Sequence, residues 1–362
     1  VQFMTQFRAD NIVFDAEEIK EALLVPPELG VERDPQPWGC ALGQSFGGFC
    51  MMTYLSLVQR PPKICLLTGG IAPMYTPAYD AYSKLWQRVK TRSLLYYDMY
   101  PGDIPLIKRI VRRLLDKPQR LPSGGRLTAR RFLQLGISLG GSPTSFASMH
   151  SMFQSAFTAQ DEFSRAFLKQ VDNAQPFDDH PIYYWMHETI YGEAKMHPPT
   201  NWAAHRALLQ QSSEFDYRAT SLLEDDDDQP TLFFGEMVFP WMSQDYAECS
   251  GLGLTAMANA LATKSDWTPL YDEEHMQHVL DGRRRRAENE ETFVSPSKAA
   301  AAVYYDDLYV DFDCSMEVAK RSLKDCKLYI TNEYQHSGLR DGGAAIFNKL
   351  HGMATGGIRV PS

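Results

Sequence analysis

The pattern of apolar and polar positions divides the chain into three stretches of different texture. Near the start, residues 7–24 predict a helix, with Ile12, Ala16, Ile19 and Leu23 recurring at three-to-four spacing on one face and Asp10 as its N-cap. A Pro- and Gly-rich segment, 26–37, ends it. The short apolar run WGCAL (38–42) predicts a strand, and after the glycines of 43–48 a helical pattern runs to Val58. Pro61 and Pro62 stop that helix, and KICLLT (63–68) predicts a second buried strand closing at Gly69 and Gly70. Strand, helix, strand within about thirty residues is a parallel crossover unit.

From Tyr75 onward the texture is helical and rich in aromatics, with residues 127–139, 162–171 and 201–211 the clearest helices. Two charge runs, Glu224–Asp228 (EDDDD) and Arg283–Arg286 (RRRR), read as solvated faces or loops. The α/β texture then returns. Residues 299–305 (AAAAVYY) predict a strand running into Asp306 and Asp307, and KLYIT (327–331) predicts another. A last helix is expected over 343–353. The organisation read from this is an α/β core in two parts, 1–74 and 290–362, interrupted by an inserted helical cap, 75–289.

Composition narrows the function. Apolar residues make up 44% and charged residues 22%, which is ordinary globular usage and excludes a disordered or fibrous chain. The balance of 36 basic against 45 acidic residues, a net charge of −9, argues against nucleic acid as partner. No run approaches the roughly 18 apolar residues of a membrane span. The six cysteines are scattered with no C-x-x-C pair, which fits reduced thiols and a cytoplasmic setting. The first residue is Val1, and no basic-then-apolar signal segment follows.

Gly-x-Ser-x-Gly occurs twice, around Ser45 and around Ser138. A nucleophile elbow needs a strand, a sharp turn and a helix, so that the hydroxyl stands exposed above the sheet. Ser45 has that context. Ser138 follows a helical pattern and precedes Gly141, Ser142 and Pro143, so it does not. A serine hydroxyl needs a base that is itself oriented by an acid. His336, shortly after KLYIT, fits the base, and Asp306 or Asp307 at the end of AAAAVYY fits the acid, in the chain order nucleophile, acid, base. Asp311, Asp313 and Glu317 mimic a calcium loop, but Met316 stands where glycine is required. His275 and His278 lack a third metal ligand and an H-E-x-x-H motif. No G-x-G-x-x-G follows a strand, so no dinucleotide cofactor is expected.

With these residues located, the chain resembles the longer branch of the proline iminopeptidase family of α/β-hydrolases. The resemblance is carried by FRADNIVFDAEEI (7–19), LGQSFGGFC (42–50), LLTGGIAP (66–73), LPSGGRLTARRFLQLG (121–136), HETIYGE (187–193), FGEMVFPWM (234–242), YYDDLYVD (304–311) and TNEYQHSGLR (331–340). It implies an α/β-hydrolase fold with a large helical cap and a serine exopeptidase acting on small peptides with an N-terminal proline. Ser45, Asp307 and His336 then form the triad; Asp307 is preferred over Asp306 because an apolar residue, Leu308, follows it. The backbone N–H of Phe46 donates to the oxyanion. Glu236, with Glu188 second, binds the substrate's free amine, and Phe239 and Trp241 enclose the pyrrolidine ring. No metal or organic cofactor is implied.

One departure stands out. The family's His-Gly-Gly-Pro-Gly loop ahead of the nucleophile and its Asp-x-Arg-Gly segment are absent. The expectation is that Val1 is not a natural start and that early strands of the sheet are missing, leaving an incomplete sheet with an unpaired edge. An esterase or other hydrolase on the same fold, or an inactive truncated homologue, are the alternative readings; the FGEM motif speaks for the aminopeptidase.

Overall fold

Four short strands, all parallel, organise the first of two structural units in the computed structural model, which describes residues 1–24, 36–175, 177–193, 197–211, 213–222, 229–281 and 296–360. The charge runs at 224–228 and 283–286 and most of the 26–37 turn lie outside those residues. In chain order the elements of this unit are α1 (Ala9–Leu24), β1 (Ala41–Gln44), α2 (Phe46–Leu57), β2 (Ile64–Thr68), α3 (Glu273–Asp281), β3 (Lys298–Tyr304), α4 (Phe312–Arg321), β4 (Lys327–Thr331) and α5 (Gly338–Thr355). The strands lie side by side in the order β1-β2-β3-β4, with Ala41 opposite Cys65, Cys65 opposite Ala299, and Ala300 opposite Lys327. Parallel neighbours need crossovers, and α2 and α4 supply two of them.

The central strands β2 and β3 are buried along almost their whole length, so they read as continuous apolar runs and not as alternating ones. Alanine is a poor strand former by propensity. Here Ala299–Ala302 are kept in the sheet by burial, and their small side chains let a helix approach closely. On one face Leu66, Ala300, Ala302 and Tyr304 pack against Ile346, Leu350 and Met353 of α5. Among the described residues no helix is long and apolar enough to cross a membrane.

Three sequence expectations are corrected. The first strand lies at 41–44 and not 38–42, because the ladder with β2 begins at Ala41 and leaves Gly39 and Cys40 exposed. In α1 the buried stripe is Ala9, Val13 and Lys20, whereas Ile12, Ile19 and Leu23 are exposed. Glu17 explains the choice: it pairs with Lys20 and accepts the Tyr54 hydroxyl of α2, which turns that stripe inward. Third, the helical unit comprises 78–189 and 199–264, so segments 190–198 and 265–281 belong with the sheet and not with the insert. Buried Arg8 holds both of them, donating to the Gly192 carbonyl at 2.5 Å and to the Thr268 side chain at 2.6 Å. On α3, His275 Nε2 lies 3.0 Å from the Val58 carbonyl.

The helical unit is built on an aromatic core in which Phe153 and Phe233 pack edge-on to Tyr96, Phe233 stacks on Tyr97, and Phe132 packs on Phe153. The helical pattern of 127–139 is realised as a short α-helix, Ala129–Leu133, capped by Thr128, and then a 3-10 segment, Gln134–Gly140. The other two expected helices are Arg165–Ala174, capped by Ser164, and Ala203–Gln210.

Candidate active site

β1 ends at Gln44 and α2 begins at Phe46, so Ser45 alone makes the turn. Its backbone sits at φ 55, ψ −122, a region that costs a non-glycine residue about 1–3 kcal/mol. Neighbouring hydrogen bonds hold it there: its N–H donates to the Thr68 carbonyl at 3.0 Å, and its carbonyl accepts from Gly48 at 2.8 Å and Phe49 at 3.3 Å. Such an elbow needs the backbone beside it to come very close. A Cβ on Gly70 would collide with the Ser45 carbonyl and with Gly48, so glycine is required there. Phe46, as the first residue of α2, carries one of the N–H groups that a helix start leaves without an intrahelical acceptor.

The loops after β3 and β4 bring in the other two groups. Asp307 is 1% exposed, and its Oδ1 accepts from the backbone N–H of Tyr309 at 2.8 Å and Val310 at 3.1 Å. His336 Nδ1 lies 2.8 Å from Asp307 Oδ2 and 3.0 Å from Oδ1. With the Nδ1 proton directed to the carboxylate, Nε2 is left as the acceptor, which is the tautomer a general base needs. Asp306 lies outside this arrangement, half-buried, whereas Asp307 is the residue that meets the imidazole.

Two further contacts tie His336 to the serine turn. The Gln44 side-chain amide donates to the His336 carbonyl at 3.4 Å, and a Cβ on Gly69, at φ +51, would stand 3.2 Å from His336 Nδ1. Gly69 and Gly70 therefore run with one residue against His336 and the next against Ser45. Tyr309 packs on the imidazole, ring centroids 4.4 Å apart. Gln44 and Tyr309 were not singled out from the sequence, although both lie inside the motifs LGQSFGGFC and YYDDLYVD. Ser138, the other Gly-x-Ser-x-Gly serine, lies within the 3-10 segment of the helical unit, with no strand leading into it.

In the helical unit the four expected substrate-binding residues part ways. Glu236 is half-buried in an irregular segment, and its Oε1 accepts the Tyr183 hydroxyl at 2.7 Å. Desolvation lowers the pKa of the buried His187 ring, with Glu236 opposing that shift. Glu188 is 4% exposed and its two oxygens each accept a backbone N–H, from Ala203 and Ala204, at 3.0 Å. Burial pushes its pKa up to about 6, against those bonds. These two bonds make it a cap on the N-terminus of helix Ala203–Gln210. Phe239 is fully buried, stacked on Trp241 at 5.0 Å and edge-on or tilted to Trp86, Phe234 and His205. It is core, and Trp241 carries the Arg130 guanidinium 4.7 Å above its ring. Tyr183, which meets Glu236, and His187, which stacks on Tyr183, went unread in the sequence; His187 opens the motif HETIYGE, and Tyr183 lies one helical turn before it. Among the described residues no group of three or more His, Cys, Asp or Glu side chains is placed to hold a metal ion.

A parallel sheet that carries a strained serine on a strand-to-helix turn, with an Asp–His pair on the loops after later strands, is the arrangement of an α/β-hydrolase. The chain is 36% identical over 348 residues to the proline iminopeptidase of Aeromonas sobria, covering 96% of this chain and 72% of that protein. It is 27% identical over 354 residues to the proline iminopeptidase AneH of Aspergillus aculeatus, covering 97% and 70%. No family model matches the chain. It belongs to the proline iminopeptidase family.

Proposed function

We propose that this chain is a serine exopeptidase releasing N-terminal proline from small peptides, with Ser45, His336 and Asp307 as its triad. The activity is that of the named relatives. The observation that carries the chemistry is the bonding of both Asp307 oxygens to His336 Nδ1, beside a serine held in an otherwise unfavourable backbone conformation.

The steps follow from the atoms. His336 Nε2 takes the Ser45 proton as Oγ attacks the proline carbonyl. Asp307 stays ionised and stabilises the imidazolium, its second duty being satisfied by the Tyr309 and Val310 N–H groups. The Phe46 N–H donates to the tetrahedral oxyanion. The imidazolium then protonates the leaving peptide nitrogen, which leaves prolyl-Ser45. Water, deprotonated by His336, resolves that ester and frees proline.

Glu236 reads the substrate's ammonium. An exopeptidase has to tell a charged N-terminal amine from a peptide nitrogen, and a carboxylate does so by a charge-assisted hydrogen bond, roughly twice as strong as a neutral one. Acylating the amine removes its charge and leaves the carboxylate unpaired. The six free thiols support a reducing, cytoplasmic setting. The test is hydrolysis of a proline arylamide, its N-acetylated form and a simple aryl ester. The proposal expects the free-amine arylamide to be preferred over its N-acetylated form by about 10² or more, given the several kcal/mol that an unpaired partner costs. Preference for the aryl ester, with no discrimination between the two arylamides, would replace the peptidase reading with an esterase.

A further inference from the structure

A carboxylate that reads a small ammonium must be held still, because a glutamate side chain otherwise loses up to about 2 kcal/mol of rotamer freedom on binding. Glu236 has no helix or strand to fix it: the chain from Gln229 to Phe239 is irregular. Its backbone is fastened from outside. The Phe234 N–H donates to the Leu133 carbonyl at 2.8 Å, and Gln134 donates to the Met237 carbonyl at 3.1 Å. The carboxylate is fastened separately: its Oε1 accepts the Tyr183 hydroxyl at 2.7 Å.

Tyr183 is itself clamped. Its ring stacks on His187 at 4.7 Å with a 16° interplanar angle and leans on Phe177 at 5.1 Å. The His187 imidazole thus supports the phenol that meets the Glu236 carboxylate. We propose that Tyr183 is the positioning residue that sets amine selectivity: it takes Glu236 Oε1, so that Oε2 is presented to the substrate's ammonium. This rests on the reading of Glu236 given above. A phenol is suited to the task, since it donates one directed hydrogen bond, favours the ionised carboxylate, and loses little freedom of its own.

The experiment is a double-mutant cycle between Tyr183→Phe and Glu236→Gln, reading kcat and KM for proline arylamide and its N-acetylated form. Tyr183→Phe keeps the ring and its stacking and removes the hydroxyl alone. KM for the free-amine substrate should rise about tenfold, the worth of a hydrogen bond to a charged group, with kcat within about twofold. Activity on the N-acetylated substrate should stay within about twofold, which also reports that the variant is folded. In the Glu236→Gln background the added Tyr183→Phe should change selectivity by less than about twofold, since its effect runs through the carboxylate. Unchanged selectivity in Tyr183→Phe, or independent losses that multiply in the double variant, would overturn the positioning role while leaving Glu236 in place. Unchanged selectivity in Glu236→Gln would instead remove the amine reading on which it rests. A loss of activity on both substrates alike in Tyr183→Phe would show a structural role and would also overturn the proposal.

Discussion

Asp307 in the sheet unit and Glu188 in the helical unit are both buried carboxylates that accept two backbone N–H groups, yet they divide their oxygens differently. Asp307 takes both N–H bonds on Oδ1, which also lies 3.0 Å from His336 Nδ1, while Oδ2 meets His336 and neither N–H group. Glu188 gives one oxygen to each of two consecutive N–H groups at a helix start, so both are engaged in holding that helix. Both are buried; what separates them is how the acceptor capacity is divided. The proposed triad uses Asp307 through its titratable partner His336, and Glu188 has backbone N–H groups in that place.

The largest effect that would break this comparison lies at Asp307. Asp307→Asn should lower kcat by roughly 10³–10⁴, because an amide no longer fixes the imidazole tautomer. Asp306→Asn should cost less than about tenfold. If the two losses are reversed, the acid has been assigned to the wrong residue.

Glu188 should show the opposite profile, with stability affected and selectivity spared. Glu188→Ala uncaps Ala203–Gln210 and should lower unfolding stability by about 2 kcal/mol, measured by chemical denaturation. The pH dependence has a definite sign. The folded pKa, about 6, lies above the ordinary value of 4.5 for this acid, so the folded state binds the proton more tightly. Glu188 therefore favours folding below about pH 4.5, and that contribution is lost as pH rises through 6, amounting to about 2 kcal/mol. Glu188→Ala should remove this component of the slope between pH 4.5 and 6. A tenfold loss of selectivity for the free amine in Glu188→Ala, with stability unchanged, would return Glu188 to the substrate.

The same contrast explains what could be read in the sequence. In the sheet unit the proposed triad follows from position along the chain: β1, β3 and β4 each stop where Ser45 or the loops bearing Asp307 and His336 begin. Ser45, His336 and the pair Asp306 and Asp307 were therefore legible from strand ends and their order, and the family resemblance chose Asp307. In the helical unit the motifs HETIYGE and FGEMVFPWM marked the right neighbourhoods, but the roles inside them depend on contacts distant in sequence. Nothing local shows that Glu188 meets the N–H groups of Ala203 and Ala204, or that Phe239 is packed behind Trp86. The stripe on α1 failed for a related reason. Ile12, Ile19 and Leu23 have helical spacing, but the neighbouring stripe of Val13, Glu17 and Lys20 has it too, and the Glu17 bond to Tyr54 decides between them. The end of the insert was misplaced because residues 265–281 are helical in texture, while the Arg8 and His275 contacts that return them to the sheet are long-range.

The smallest effect concerns the second Gly-x-Ser-x-Gly. Ser138→Ala should change kcat/KM by less than about twofold and leave stability within about 0.5 kcal/mol, as for a partly exposed residue away from special features. A loss beyond tenfold would mean that motif spacing outweighs the strand-to-helix turn as a guide to the nucleophile.

The central claim is that the strained turn makes Ser45 the nucleophile, oriented by a neighbouring Asp–His pair. The most direct measurement is covalent labelling with a fluorophosphonate, followed by peptide mass spectrometry of the modified residue. The account predicts a single stoichiometric adduct on the peptide containing Ser45, formed in the intact enzyme and absent from Ser45→Ala and, at the same exposure, from His336→Ala. An adduct on Ser138, or labelling of Ser45 that persists undiminished in His336→Ala, would contradict it.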